Sequence, residues 1–349
     1  MNFARQIGAF TGEDLSIINA NFALLNGLTQ GQGTVYFLDP ANGNDAYNGL
    51  SPTAQSDGVT GPKRSLLGAY NVCGGSSTSG QNDTVALLAN GATSGTARVD
   101  SAFTWAKNET HLIGLCSPVL LSQRARLAPS STTTAFANFF TLSASGCAFQ
   151  NIGIFDGFTT GTTSQICMTI TGSRNYFRKC QIAGMGDTTS ATSAGSRSLK
   201  IGLSGSGENV FEDCTIGLDT VSRTGANASV EFTNGGSGSG TVRNVFRGCL
   251  FPFYSGDGNS LGILGTGANC VDRWQEFDRC TFMNAIKSGA TAMTVNASFT
   301  SASAGGLVIF KDCASVGITK FGDTTALALS YIDMAAVSAS AGGLMVNPS

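Results

Sequence analysis

A phenylalanine followed three residues later by a cysteine occurs five times at regular intervals in this chain of 349 residues. Successive cysteines of these pairs are 31 to 35 residues apart, and random placement of 22 Phe and 10 Cys would give fewer than one such pair. An internal period of this length is typical of solenoids, in which each repeat forms one coil. The pairs are Phe177/Cys180, Phe211/Cys214, Phe246/Cys249, Phe277/Cys280 and Phe310/Cys313.

Each repeat contains three short strand patterns, which in the second repeat are SLKIGL (198–203), VFE (210–212) and CTI (214–216). A Phe and a Cys three positions apart would face opposite sides of one flat strand, but a bend between them lets both point inward. The residue at the bend is polar or glycine in every repeat, as unusual backbone angles require: Lys179, Asp213, Gly248, Arg279 and Asp312. The sequence therefore predicts an all-β, single-stranded parallel solenoid whose core contains a ladder of these Phe and Cys side chains.

The cysteines are predicted to be free thiols that fill the core. Equivalent positions in neighbouring coils stack about 4.8 Å apart with parallel side chains, whereas a disulfide needs converging Cβ atoms about 3.8 Å apart. One histidine and no CxxC motif give no zinc pattern. The loop at 39–45 offers oxygen ligands to calcium, but turns require the same residue types. We expect no metal and no cofactor.

The first 33 residues differ from the repeats. Residues 11–27 have a capping Thr11, acidic residues in the first turn and a terminal Gly27, which predict an amphipathic helix. The apolar stripe of this helix is expected to pack either on another subunit or larger assembly, or on the solenoid of the same chain. The stripe consists of Leu15, Ile18, Phe22 and Leu25.

We therefore predict four regions. Residues 1–33 form the helical segment and 34–81 cap the solenoid, whose coils occupy 82–333. Residues 334–349 form a cap or an inter-subunit tail.

Composition excludes two classes of partner. Charged residues make up 12% of the chain, against roughly 25% in an average soluble domain, and the formal net charge is −2. Without a basic stripe, counterion release cannot drive nucleic-acid binding. No apolar run is long enough to span a bilayer, and the first residues lack the layout of a secretion signal. We expect neither membrane insertion nor nucleic-acid binding.

The segments FLDPANGNDAYNGLSP (37–52), GPKRSLLGAY (61–70) and DTVALLANG (83–91), together with the FxxC coils, resemble the pectate-lyase-like right-handed parallel β-helix proteins of tailed bacteriophages. The resemblance covers residues 35–335. It implies a right-handed β-helix, a homotrimer and an amino-terminal virion anchor in contact with capsid or other virion proteins. It also implies synthesis in the host cytoplasm, a location on the particle surface and possible contact with a host glycan.

The family includes capsid spikes and decoration proteins, tailspikes and polysaccharide lyases. A segment of only 33 residues before the coils favours the spike or decoration type over a tailspike.

An enzymatic alternative needs two carboxyl groups about 5 to 9.5 Å apart. Glu212 and Asp278 occupy equivalent positions two coils apart, or about 9.6 Å, and Glu231 is a third candidate. Arg247 stands between the first two, so a surface salt-bridge stripe is the simpler interpretation. We expect a structural protein without catalytic residues, with polysaccharide hydrolysis or cleavage by a lyase as the alternative.

Overall fold

The structure, a computed structural model, confirms the predicted parallel β-solenoid. It describes residues 33–89, 95–130, 136–157, 164–202, 206–234, 240–284, 291–302, 305–324 and 328–332. The predicted amphipathic helix at 11–27 and the tail at 334–349 lie outside these residues. The described strands form three parallel sheets, named A, B and C below. From β3 onward, each coil contributes one strand to sheet B, then one to sheet C and then one to sheet A.

Sheet A has ten described strands: β1 (Val35–Leu38), β2 (Thr84–Leu88), β5 (His111–Leu115), β8 (Ala148–Gln150), β11 (Tyr176–Arg178), β14 (Val210–Glu212), β17 (Asn244–Arg247), β20 (Trp274–Asp278), β23 (Leu307–Lys311) and β26 (Ala328–Ile332). Sheet B has eight: β3 (Thr96–Val99), β6 (Arg126–Pro129), β9 (Gly153–Phe155), β12 (Gln181–Ala183), β15 (Thr215–Ile216), β18 (Leu250–Phe253), β21 (Thr281–Asn284) and β24 (Ala314–Val316). Sheet C also has eight: β4 (Phe103–Trp105), β7 (Asn138–Leu142), β10 (Ile166–Ile170), β13 (Arg197–Gly202), β16 (Ala228–Thr233), β19 (Leu261–Gly267), β22 (Met293–Ala302) and β25 (Ile318–Thr324). Two short helices are described, α1 (Leu66–Val72) and α2 (Thr188–Ala191).

The phenylalanines of the repeat stack in register along the inside of sheet A. Ring centroids are 4.5 Å apart between Phe211 and Phe246 and 4.6 Å apart between Phe246 and Phe277, with the rings within 5° of parallel. This spacing follows from the strand separation of about 4.8 Å. All five phenylalanines are fully buried.

The five cysteines line the next wall of the core, and each is buried and free. The Cys280 thiol donates to the Phe246 carbonyl of the preceding coil at 3.4 Å, and Cys313 does the same to Phe277 at 3.2 Å. Burial raises the pKa of Cys214 and Cys249 well above the usual range for a thiol. These thiols are therefore packing groups rather than nucleophiles.

The bend between the Phe and the Cys depends on left-handed backbone at a single residue. The φ angles are +50° at Lys179, +52° at Asp213, +59° at Gly248, +53° at Arg279 and +49° at Asp312. One coil earlier, Asn151 adopts +54°, and the following Ile152 is buried where later coils have cysteine. The corner is thus retained where the FxxC pattern is lost.

A second ladder accompanies the phenylalanines and is built from buried amides. Asn175 Nδ2 donates to Asn209 Oδ1 at 3.0 Å, and Asn209 Nδ2 donates to Asn244 Oδ1 at 2.9 Å. Asn244 Nδ2 continues the chain to Gln275 Oε1 at 2.9 Å. These contacts satisfy polar groups at the turn into sheet A, where water is excluded.

The amino-terminal end of the described solenoid is closed by α1. Ser65 caps this helix by accepting the Gly68 N–H, and Asp45 accepts the N–H groups of Arg64 and Ser65. Strand β1 already pairs with β2, so sheet A begins within the segment expected to be a cap. Among the described residues, no helix is long and apolar enough to cross a membrane.

Candidate functional site

The three outer faces of the solenoid differ in charge. Sheet A carries a column of charged side chains in register: Arg178, Glu212, Arg247, Asp278 and Lys311. Sheet B has no charged residue in any strand from β12 to β24. Sheet C carries Ser and Thr residues in β10, β13 and β16, together with Arg197, Lys200 and Glu231, and its last strand β25 adds Lys320 and Asp323. Each face therefore suits a different kind of contact.

Glu212 and Asp278 lie in sheet A with one strand between them, which corresponds to about 9.6 Å between their backbones. The Tyr176 hydroxyl donates to Glu212 Oε2, and burial together with this bond raises the pKa of Tyr176 to about 12. Arg279 Nη2 lies 3.1 Å from Asp278 Oδ2, and Lys311 Nζ lies 3.7 Å from Asp278 Oδ1. Within the described residues, the intervening Arg247 forms no ion pair with either carboxylate.

Glu231 lies on a different sheet from the other two candidates. Its Oε2 atom is 2.8 Å from Arg197 Nε, and the two side chains are only 8% and 7% exposed. Its Oε1 atom accepts a hydrogen bond from the Thr266 hydroxyl, and Lys200 Nζ lies 3.9 Å from Oε2. Both carboxylate oxygens are thus occupied by protein groups. The structure does not bring Glu231 together with Glu212 or Asp278.

Three of the cavities on the described surface are candidates for a site. One of about 470 Å³ lies beside α1 and is lined by Tyr70, Arg98 and Phe103, among others. A second, of about 260 Å³, lies under the loop at 118–120, against Lys179 and Asp213. The third, of about 270 Å³, lies on the outer face of sheet C. None of the three has Glu212, Glu231 or Asp278 in its wall, although catalytic carboxylates belong in a substrate-sized cleft.

The sheet C cavity places uncharged hydrogen-bonding groups around one charged side chain, that of Lys200. It is lined by Asn138, Ile166, Thr169, Thr171, Lys200, Gly202 and Thr233. The Thr169 hydroxyl donates to Asn138 Oδ1 at 2.6 Å, which fixes the amide against the wall. No sequence motif marks this cavity, because its residues lie in strands β7, β10, β13 and β16, or directly after β10 at Thr171, and these strands become neighbours only in the folded sheet.

No group of three or more His, Cys, Asp or Glu side chains within the described residues could hold a metal ion. In the loop at 39–45, Asp39 Oδ1 accepts the N–H groups of Ala41 and Asn42. His111 accepts the Ala148 N–H at Nδ1, and burial lowers its pKa to about 4. These side chains support turns and strands.

Asp156 is an unusual buried group. It follows β9 at the corner between sheets B and C, it is fully buried, and neither carboxyl oxygen has a hydrogen-bond partner among the described residues. Burial, with a smaller contribution from Asp187, raises the pKa of Asp156 to about 7. The side chain of Asp187 is itself committed to capping α2.

No protein-family model matches the chain. No curated protein matches it significantly. Among solved structures, the deglycosylated pectin methylesterase of Aspergillus niger is similar with a TM-score of 0.50 and 13% identity, over 85% of this chain and 89% of the enzyme.

Two viral proteins are also similar. ORF18 of Geobacillus virus E2 has a TM-score of 0.45 and 11% identity, over 93% of this chain and 63% of its own. The enzymatically active domain of tailspike protein 2 of bacteriophage CBA120 has a TM-score of 0.34 and 10% identity, over 82% and 47%. At such identities a structural likeness indicates shared architecture. The chain is a parallel β-helix protein.

Proposed function

We propose that this chain is a structural virion protein of a tailed bacteriophage, a homotrimeric β-helical capsid spike or decoration protein that contacts the host surface. The observation that carries the proposal is that Glu212, Asp278 and Glu231 are all engaged by neighbouring side chains and lie outside the walls of the three cavities described above. A continuous Phe, Cys and Asn spine supplies rigidity instead. The sequence resemblance supports the viral assignment.

The outer face of sheet B supports contact between copies. Leu250, Thr281 and Ala314 lie in one row of this face, beside a second row of Pro252, Met283 and Val316. Met283 is 41% exposed. Copies that meet across such a face take no charged group out of water, whereas contact through sheet A would desolvate its charge column. Two copies can align along the uncharged strands β15 to β24, whereas the earlier strands β3 and β6 of the same sheet carry Arg98 and Arg126.

Deleting residues 1–33 is expected to abolish incorporation into particles and to leave a folded trimer, because these residues precede the coils. Incorporation is measured on purified particles, and the oligomer by light scattering of the isolated protein. Four substitutions to serine, at Leu15, Ile18, Phe22 and Leu25, provide a matched test of the apolar stripe. If the truncated chain is still found on purified particles, the proposal that residues 1–33 anchor the protein is wrong.

The alternative function is a tailspike or tail adhesin that binds or cleaves host surface polysaccharide. Its clearest signature is sustained release of reducing ends from host polysaccharide by the purified chain. We expect no such release from either the native protein or the Glu212→Gln variant. Release by the native protein that is lost in Glu212→Gln would replace the structural assignment with an enzymatic one.

A further inference from the structure

We propose that the amino-terminal end of the outer face of sheet B binds a divalent oxyanion, a sulfate ion or a phosphate group, through Arg98, Arg124 and Arg126. The proposal goes beyond the virion role and does not depend on it, since it requires only the charges and geometry of strands β3, β6 and β9. Three observations support it: positive charge of one sign at this end of the sheet, unused donors on Arg126, and side-chain contacts that hold the guanidinium groups in place.

The charge of sheet B is confined to its first strands and has one sign. None of its described strands contains an acidic residue, and the basic residues are Arg98 in β3 and Arg126 in β6. Thr96 pairs with Arg126 across the ladder, and Arg98 follows two residues later on the same face. The two backbones are therefore about 8 Å apart, so both long side chains can reach one ion. Arg124 is exposed and adds a third positive charge, whereas the acidic residue nearest in sequence, Asp100, lies beyond the end of β3.

Arg126 is half-buried and leaves hydrogen-bond donors unused. Its Nε and Nη2 atoms both donate to the single hydroxyl of Thr96, at 3.4 and 3.2 Å. Its Nη1 atom has no acceptor among the described residues, and the contacts of the side chain include no carboxylate there. Burial, followed by the like charges of Arg98 and Arg124, lowers the pKa of Arg126. An anion bound at this place would reduce the repulsion and supply the missing acceptors.

The positions of both guanidinium groups are set by neighbouring residues. Gly153 of β9 stands opposite Arg126, so no side chain at that position covers the arginine. The Arg126 guanidinium lies over the ring of Phe155, 5.8 Å from its centroid, and this cation–π contact uses none of the N–H groups. The Nη1 atom of Arg98 donates to the Pro129 carbonyl at 2.9 Å. Side chains that are held in place before an ion arrives lose less conformational entropy when it binds.

The distribution of charge favours a compact oxyanion over an extended polyanion. The strands of sheet B that follow β6 contain no charged residue, so an acidic polymer would find no further cations along this face. A guanidinium group presents paired N–H donors, which match two oxygens of one sulfate or phosphate group. A halide ion cannot accept such a pair of bonds in the same way. A ligand with two negative charges also interacts more favourably with three cations than a monovalent one.

The test is calorimetric titration of the full chain with sodium sulfate and with sodium phosphate, at a constant ionic strength set by sodium chloride. The native protein is expected to bind both oxyanions. Arg126→Gln should weaken this binding at least tenfold, because a pair of charge-assisted hydrogen bonds is lost. Arg126→Lys keeps the charge without the paired donors and should recover only part of the affinity. Arg98→Gln should also weaken binding.

Phenyl phosphate, titrated in parallel, distinguishes the two sources of the oxyanion. Tighter binding than inorganic phosphate would assign the site to the phosphate group of a larger molecule, and equal or weaker binding would assign it to the free ion. Either outcome supports the site.

Arg247→Gln, at an exposed arginine of sheet A, is the matched control and should leave the affinities unchanged. Thermal unfolding of each variant verifies that it is folded, and if Arg126→Gln does not fold, Arg126→Lys and Arg98→Gln decide by the same criterion. The proposal is overturned if sulfate and phosphate give no binding heat beyond that of added sodium chloride. It is also overturned if folded Arg126→Gln binds them as tightly as the native protein does.

Discussion

Replacing Phe246 by alanine is expected to lower the free energy of unfolding by about 3 to 5 kcal/mol, the cost of removing a large aromatic side chain from a packed core. Phe246 is fully buried and stacked between Phe211 and Phe277 at 4.5 and 4.6 Å. Both neighbours would lose a ring contact, and the strand spacing prevents them from closing the gap. The solenoid geometry therefore favours the upper part of this range.

The measurement is urea denaturation followed by circular dichroism, with the slope of the transition compared between variants. Phe246→Leu should cost less, because it keeps part of the apolar volume. Val210→Ala is a control on the outer side of the same sheet, and it should change the free energy of unfolding by less than about 1 kcal/mol. A similarly small loss for Phe246→Ala would mean that the coils can relax into the void, contrary to a rigid spine.

The repeated residues allowed much of the fold to be predicted from sequence. A Phe and a Cys three apart require a corner, and the corner is found as positive φ at Lys179 and Asp213. Their recurrence fixed the parallel architecture, which the sheet order confirms. The amide ladder was missed although it also repeats: Asn175, Asn209 and Asn244 each stand two residues before the phenylalanine of their coil.

The candidate site could not be predicted in the same way, because Lys200 and Glu231 occupy equivalent positions in neighbouring coils but the residue type at this position changes from coil to coil. The Arg197–Glu231 pair and Lys200 meet on adjacent strands, β13 and β16, and only the register of these strands brings them together. The sequence identifies Glu231 only as a candidate carboxylate, because strand alternation alone does not show what covers an outward side chain. In the structure, the side chains of Arg197, Lys200 and Thr266 on the two neighbouring strands contact the Glu231 carboxylate.

Asp156 illustrates the same limit and leads to the second large prediction. Nothing in the sequence distinguishes it from other aspartates that follow a strand, yet its carboxyl group is fully buried without a hydrogen bond from a described residue. The titratable groups that face it are the carboxylate of Asp187, which disfavours a second negative charge, and the thiol of Cys167, whose pKa is raised by burial. The protonated form is therefore favoured in the folded state.

Replacing Asp156 by asparagine is expected to make the folded protein less sensitive to alkaline pH. The pKa of about 7 in the folded state lies above the ordinary value of 3.8 for an aspartate, so the stability that the proton contributes is fully present below about pH 4. It is lost as the pH rises through 7. A difference of about three pKa units corresponds to about 4 kcal/mol at pH 8 and above.

The readout is the free energy of unfolding of Asp156→Asn minus that of the native protein, measured by urea denaturation from pH 4 to pH 9. Near pH 4 the variant should be equal to the native protein or slightly less stable, because an unpaired amide remains buried. The difference should then rise by several kcal/mol in favour of the variant between pH 5 and 8. Asp100→Asn, at an exposed aspartate, should give a flat difference over the same range. A constant loss of stability in Asp156→Asn at every pH would mean that the ionised carboxylate is stabilised in the fold, opposite to what its burial implies.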